Sequence, residues 1–308
     1  MSLEKIPSIS VLMPVYNAEH YLPMAVESIL NQSFKDFEFI IINDGSTDNS
    51  LNILEHYANQ DNRIHLISRE NKGLVATLNE GIGYAKAPLI ARMDADDISL
   101  PERLQKQYSH MIKHSDCVAC GTAFQYLLPD GEKGPVFSVP TDHRSIDGSF
   151  MRKVDSFGML HPSTIMKKES LIKINGYREE FIHAEDNDLF LRLAEVGDLN
   201  NISEVLFYYR LHPVNVKFTN KLIQKKSGER GILQACERRG IDKKYYLELF
   251  SKEVPPPDSG SNPYITIGWM SIKVGNRTAS LKYAFRAFVL QPCNKESLRL
   301  LFCALRGR

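Results

Sequence analysis

Three carboxylates stand within four residues at Asp94-Ala95-Asp96-Asp97. Charges that close repel one another unless a cation or hydrogen-bond donors neutralise them. Placed after an apolar run, they make a hard-oxygen set suited to Mg²⁺ or Mn²⁺, ions that keep waters and are completed by substrate phosphates. Helix capping would account for Asp97 or Ser99 alone, and it does not need three acids. A second cluster, Asn43-Asp44-Gly45-Ser46-Thr47-Asp48, closes another apolar run. A tight turn with a cap at Ser46 or Asp48 explains part of it. Beyond that turn, the Asp44 carboxylate could accept a hydrogen bond from the ring N–H of a nucleobase. A third cluster, Glu185-Asp186-Asn187-Asp188, opens a helical pattern through Leu189, Phe190, Leu193 and Ala194. Asp186 and Asp188 do not both point easily into one cleft, so Asp188 reads as a solvated acid of the first helical turn.

The elements that must position these clusters alternate in type. Strands are expected at Ile9–Val15, Phe37–Ile42, Arg63–Ser68, Leu89–Met93 and Cys117–Leu127, with helical spacing over Glu19–Asn31, around Leu51, Leu54 and Tyr57, over Gly73–Lys86, and from Pro101 onward. That alternation predicts an α/β fold with a mostly parallel central sheet flanked by helices. Ligands of such sheets bind outside the carboxyl ends of the strands, where Pro14–Asn17, Asn43–Ser46 and Asp94–Asp97 all fall. Pro129–Pro140 reads as a loop. Further on come a helix over Asp142–Arg152, a strand at Ser163–Lys167, helices from Glu169 and from Glu185 to Val196, and a strand at Val205–Arg210. From about Lys217 the chain reads as helical and basic, interrupted by the Pro255–Ser261 segment.

Taken together, Pro14-Val15-Tyr16-Asn17, Asn43-Asp44-Gly45-Ser46, Asn71-Lys72-Gly73 with Asn79-Glu80-Gly81, Asp94–Asp97 and Ala184-Glu185-Asp186 resemble the family 2 glycosyltransferases in order and spacing. The run from Ala91 to Arg103 is similar to bacterial members that build surface polysaccharides. The resemblance covers roughly residues 7–213 and implies the GT-A fold. It also implies metal-dependent, inverting transfer of a sugar from a nucleoside-diphosphate donor such as a UDP-sugar to a glycan or lipid-linked acceptor. By that resemblance Pro14, Tyr16 and Asn17 line the nucleotide pocket, Asp44 holds the uracil edge and Asp94 approaches the ribose. Asp96 takes the Mn²⁺ or Mg²⁺, with Asp97 and His212 sharing that role, and Arg210 closes over the diphosphate. Asp186 is the general base, with Glu185 and His161 on the acceptor side; His161 also reads as a hydrogen-bonded turn histidine. Two positions depart from the family pattern: Asn43 replaces an acid, and Leu78 replaces an arginine, for which Lys72 could substitute. The implied division is a catalytic domain over 1–218, with a nucleotide half over about 7–127 and an acceptor half over about 128–218, followed by a helical basic region over 219–308.

The 308 residues carry a formal net charge of +1, which by itself suggests neither a nucleic-acid partner nor an acidic one. That value hides a division. Residues 1–220 hold 21 Lys and Arg against 30 Asp and Glu, and residues 221–308 hold 17 against 7. An acidic body with a basic tail suggests membrane or polyanion contact by one half. Over Ala279–Arg308, the stripe Leu281, Ala284, Phe285, Phe288 and Val289 beside Lys282 and Arg286 reads either as a basic amphipathic helix on an anionic membrane or as a helical hairpin with a solvated basic face. The expected location is cytoplasmic and peripheral to the membrane, with no spanning segment. Cys117-Val118-Ala119-Cys120 lacks a second ligand pair and reads as buried strand rather than a zinc or redox site. A sugar-nucleotide pyrophosphorylase, the alternative enzyme, would need a Gly-rich basic loop that Ser10–Ala18 lacks. A catalytically weak nucleotide-sugar-binding protein is the alternative outside catalysis, and retention of Asp96 and Asp186 argues against it.

Overall fold

Every residue of Phe37–Asp44 is buried, as expected of a strand covered on both faces. In the computed structural model this run is β2, and it lies between β1 (Ile9–Val15) and β3 (Ile64–Arg69). The structure describes residues 5–128, 131–152, 158–212, 221–252, 262–273 and 275–307. The connecting helices are α1 (Leu22–Leu30), α2 (Ser50–Ala58) and α3 (Leu74–Tyr84). Helix α1 carries Pro23 in its first turn, where a missing N–H costs nothing, and turns Leu22, Ala25, Val26 and Ile29 inward. Each of its large side chains contributes about 1.5–3 kcal/mol by burial. The chain then forms β4 (Leu89–Arg92), the two-residue β5 (Ile98–Ser99), α4 (Arg103–Lys113), β6 (Cys117–Leu127) and β7 (Lys133–Phe137). It continues through α5 (His143–Arg152), a 3₁₀ turn at His161–Ser163, β8 (Ile165–Lys167), α6 (Lys168–Lys173), α7 (Glu185–Leu193) and β9 (Asp198–Arg210).

The strands follow the order β3-β2-β1-β4-β8-β6-β9-β5, with β7 paired to β6. Strands β3, β2, β1 and β4 are mutually parallel. The chain winds outward from β1 to β3 and returns to β4 on the other side of β1. The order therefore reverses between β1 and β4, where open α/β sheets bind ligands. The register sets Val15 beside Asn43, and Asn43 and Asp44 beside Ser68 and Arg69, so the strand ends share one edge. Beyond β4 the sheet becomes mixed: β8 runs antiparallel to both β4 and β6, and β5 antiparallel to β9. Residues 133–137, expected as loop, form β7. Pro101 precedes the helix it was expected to open, because α4 begins at Arg103. The strand expected at Val205 begins at Asp198.

Two compact units emerge from the packing. One comprises residues 1–124 and 138–208; the other comprises 125–137 and 209–308. This differs from a single cut near 218, since the end of β6 and all of β7 group with the C-terminal region, while residue 218 and the Pro255–Ser261 segment lie outside the described residues. The first unit centres on a core of Leu12, Ile40, Ile42, Leu78, Val118, Leu189 and Phe190, which joins the sheet to α3 and α7. The second contains α8 (Lys221–Arg239), α9 (Lys244–Lys252), α10 (Pro263–Lys273), α11 (Arg277–Leu290) and α12 (Lys295–Arg306).

Candidate active site

At the carboxyl ends of β1 and β2, two loops are laced together. Asn17, held at φ 48°, accepts from Thr47 N at 2.8 Å, and its own N–H donates to Ser46 Oγ at 3.0 Å. Asn17 therefore ties the two loops together, while Tyr16 stands exposed beside it and Pro14 lies in the strand below. Asn43 is buried; its amide donates to Ser68 Oγ at 2.9 Å and accepts from Ser46 N at 3.3 Å. An amide supplies both a donor and an acceptor here, which an ionised acid cannot.

Asp44, also buried, has an occupied carboxylate. Lys72 N donates to Oδ1 at 2.8 Å, Gly73 N to Oδ2 at 3.0 Å, and Arg69 Nη1 to Oδ1. Asp44 thus pins the 69–73 loop, a job its sequence context did not announce. Gly45 has φ 71°, and a Cβ there would sit 2.6 Å from Asn71 N, so only glycine lets the two loops approach. Lys72 turns its ammonium to Glu80 at 3.0 Å. Arg69, which the sequence reading passed over, lies deeper and donates to Glu80 at 2.6 Å and to Thr77 at 2.8 Å.

The carboxylates of Asp94, Asp96 and Asp97 offer ligand atoms within 4.8 Å of one another, and they are the only such cluster among the described residues. Asp94 and Asp96 are half-buried and Asp97 is buried. Beneath them lie two buried arginines. Arg92 donates to Asp94 Oδ1 at 2.6 Å. Arg103 donates to the carbonyls of Arg92 at 2.7 Å and Thr164 at 3.2 Å and covers the Phe207 ring. Burial pulls the Arg103 pKa down to about 9 against the opposing charge of Asp97. Burial likewise raises the Asp94 pKa, against the charge and hydrogen bond of Arg92 and with added repulsion from Asp96. Three carboxylates this close, one of them resisting ionisation, are suited to a divalent cation, and the all-oxygen donor set fits Mg²⁺ or Mn²⁺.

The third cluster shares this electrostatic environment. Glu185 and Asp186 are half-buried in the first turn of α7. The Glu185 carboxyl is pushed up to about 7 by burial and then by the charge of Asp186. Asp186 is raised as well, by burial foremost and by Asp94, although Asn187 N donates to its Oδ1 at 2.7 Å. The Tyr177 hydroxyl meets His161 Nε2 at 2.6 Å, and its pKa is raised by burial and then by the charges of Glu185, Asp186 and Asp94. His161 is buried and held neutral by desolvation and by Arg92. It is a hydrogen-bonded turn histidine, as one of the two sequence readings had it. Asp188 corrects the sequence reading outright: its side chain is 0% exposed and bridges Arg178 and Arg192.

The family sequence model described as Glycosyl transferase family 2 matches residues 10–174. The chain belongs to that family. This glycosyltransferase is 38% identical over 216 residues to the O-antigen biosynthesis glycosyltransferase WbnJ of Escherichia coli, a match covering 69% of this chain and 83% of that protein. Its fold resembles S. aureus TarS 1-349 in complex with UDP-GlcNAc, with a TM-score of 0.57 and 17% identity over 97% of this chain and 92% of the other. It also resembles the mannosyltransferase PcManGT from Pyrobaculum calidifontis in complex with GDP-Man and Mn2+, with a TM-score of 0.56 and 14% identity, covering 99% and 81%. The GT-A fold expected from the sequence is thereby found.

Within the glycosyltransferase, the first unit gathers most of the sequence-derived residues at one sheet edge and on α7. Arg210, buried at the end of β9, and the half-buried His212 belong to the second unit. Cys117 and Cys120 are buried in β6 as free thiols, and burial pushes Cys117 up to about 12, as suits a structural position. Arg69, Arg92, Arg103 and Tyr177 were given no role from sequence. Arg92 and Arg103 flank the acid motif, and that flanking is their one visible signal.

Proposed function

We propose that this glycosyltransferase moves a sugar from a UDP-sugar or related nucleotide donor to the hydroxyl of a glycan or lipid-linked acceptor, with inversion, in bacterial polysaccharide synthesis. The observation that carries the reading is the carboxylate cluster Asp94, Asp96 and Asp97 electrostatically coupled to the Glu185–Asp186 pair. The likeness to WbnJ supports the polysaccharide context, and the ligands named for TarS and PcManGT support a nucleotide-sugar donor.

In this mechanism Tyr16, Asn17 and Asp44 form the nucleoside side of the site, with Lys72 toward its phosphate end. Asp44 has room for one more hydrogen bond, since an ionised carboxylate offers about four acceptor positions. Asp186 accepts the proton of the acceptor hydroxyl as that oxygen attacks the anomeric carbon. The bond from that carbon to the diphosphate oxygen breaks on the opposite face, which inverts the centre and leaves the electron pair on UDP. Asp96 and Asp97, with His212, would hold Mn²⁺ or Mg²⁺, which would supply charge stabilisation for the departing diphosphate. Arg210 adds a fixed positive charge there. Arg92 orients Asp94 toward the ribose, and Glu185 lines the acceptor side, with the buried His161–Tyr177 pair packed behind it.

Calorimetry with UDP, with and without Mn²⁺, tests the reading. Binding should require the ion and be lost in Asp96→Ala. Asp186→Asn should bind UDP normally and lose transfer by about 10²–10⁴-fold. Metal-independent binding, or turnover retained in Asp186→Asn, would overturn it.

A further inference from the structure

Helices α10, α11 and α12 pack with their residue sizes inverted. Their shared core is made of Ala284, Ala287, Leu300 and Ala304, closed by Tyr264, Ile265 and Trp269. Gly268 lets Leu300 approach so closely that a Cβ there would lie 2.5 Å from it. Large apolar side chains face outward instead: Phe285, Val289 and Leu290 on α11 are 57–63% exposed, and Leu298, Phe302 and Leu305 on α12 are 47–60% exposed. Ala284, read from sequence as part of the outer stripe with Phe285 and Val289, lies on the opposite, buried side.

Exposure here does not come from loose construction. Asn276 caps α11 through Ala279 N at 2.9 Å, and Asn294 caps α12 through Glu296 N at 2.9 Å. Asn262 Nδ2 reaches Ala287 O at 2.6 Å inside the bundle. The outward stripes follow helical spacing: Phe285 and Val289 are four apart, and Leu298, Phe302 and Leu305 follow at four and three. Basic residues flank both stripes, with Lys282 and Arg286 on α11 and Lys295, Arg299 and Arg306 on α12. Residues 262–307 carry seven Lys and Arg against the single acid Glu296. Between α10 and α11 lies an open groove of about 390 Å³ lined by Tyr264, Phe285, Arg286, Val289 and Leu290, with the Arg286 guanidinium 5.7 Å from the Tyr264 ring. No helix among the described residues is long and apolar enough to cross a membrane.

We infer that the α11–α12 face docks on an anionic phospholipid surface, its apolar stripes entering the headgroup boundary and its basic residues meeting lipid phosphates. Apolar stripes rimmed by Lys and Arg are the pattern of interfacial helices. A second copy docking by the same face would oppose like charges. A nucleic-acid backbone would leave the valine and leucines with nothing to bury them. This docking does not depend on the transfer reading, because it uses none of the residues placed at the donor or acceptor.

Flotation of the full chain with vesicles tests it, comparing phosphatidylcholine alone with an equimolar phosphatidylglycerol mixture. The chain should float with the anionic vesicles only, and less so near 1 M salt, where the screening length is about 3 Å. At about fivefold per basic residue, Lys282→Gln, Arg286→Gln and Arg299→Gln together should weaken partitioning about 100-fold. Phe285→Ser with Phe302→Ser should abolish it. Both variants should keep UDP binding and circular dichroism unchanged, which separates lost docking from lost folding. Equal flotation with neutral vesicles, or no flotation, would overturn the inference. So would partitioning unchanged in both variants, or a concentration-dependent dimer abolished by Phe285→Ser.

Discussion

Replacing Asp188 with alanine separates what holds α7 from what acts on it. Both carboxylate oxygens of Asp188 are engaged: Oδ2 accepts from Arg178 Nε at 3.0 Å and Arg192 Nε at 2.9 Å, and Oδ1 accepts from Arg178 Nη2. Arg192 is 8% exposed and also donates to Ile174 O at 2.7 Å, so water does not readily replace Asp188 there. Arg178 is 29% exposed and retains Glu180 at 3.5 Å, so it recovers most of its solvation. Asp188→Ala therefore removes the buried acid that both arginines share, at a cost of about 3–5 kcal/mol. For a unit of this size that is roughly 10 °C in unfolding midpoint. A shifted first turn of α7 also displaces Asp186, and a misplacement of about 1 Å costs about 10²-fold in rate. Thermal unfolding followed by circular dichroism, with transfer measured per folded enzyme, reads both effects. Asp188→Leu combined with Arg192→Met should recover most of the stability, because an apolar pair leaves no orphaned charge. A midpoint for Asp188→Ala within about 1 °C of wild type would refute the reasoning.

Gly45→Ala forces a side chain into the left-handed region and against Asn71 N, so it should cost about 1–3 kcal/mol and weaken UDP binding; wild-type values in both denaturation and titration would contradict that. On the mechanism proposed above, transfer needs Asp186 ionised. With Glu185 raised to about 7 and Asp186 also raised, kcat/KM should fall as pH drops below neutrality. Glu185→Gln removes the neighbouring charge and should move that limb to lower pH, as a pH–rate profile would record; a wild-type limb near pH 4 would oppose it. Tyr177→Phe strips His161 of its 2.6 Å partner inside the core and should lower stability by about 1–3 kcal/mol, measurable by urea denaturation.

Much of the nucleotide half was legible because its signals are local. Ile9–Val15 and Cys117–Leu127 fall at the expected bounds, since continuous apolar runs between turn residues admit little else. Strand β7 was missed because Gly134 and Pro135 read as loop, and a proline in a strand is tolerated only at an edge such as this one. The reversed direction of β8 was hidden because three residues carry no periodicity. Asp188 misled for a different reason. Its position in the first turn of a helix suggests solvent, and the two arginines that enclose it come from ten residues upstream and one turn downstream. Arg92 and Arg103 sit on either side of a legible motif, yet their burial depends on β8 and Phe207 arriving from far along the chain.

The buried arginine pair also bears on the order in which ligands arrive. Three carboxylates at the sheet edge face two guanidiniums beneath them, so the floor of the cleft is one negative charge in excess when all are ionised. On the metal-dependent mechanism proposed above, a bare diphosphate would be repelled there, and a divalent cation would offset the excess and favour its approach. The donor's association rate should therefore follow the concentration of free divalent ion, with cation and nucleotide entering as a pair. Were either arginine neutral, the excess would double and a single divalent ion would only cancel it. Arg92 and Arg103 thus set how far one ion can tip the balance, although neither is expected to touch the substrate.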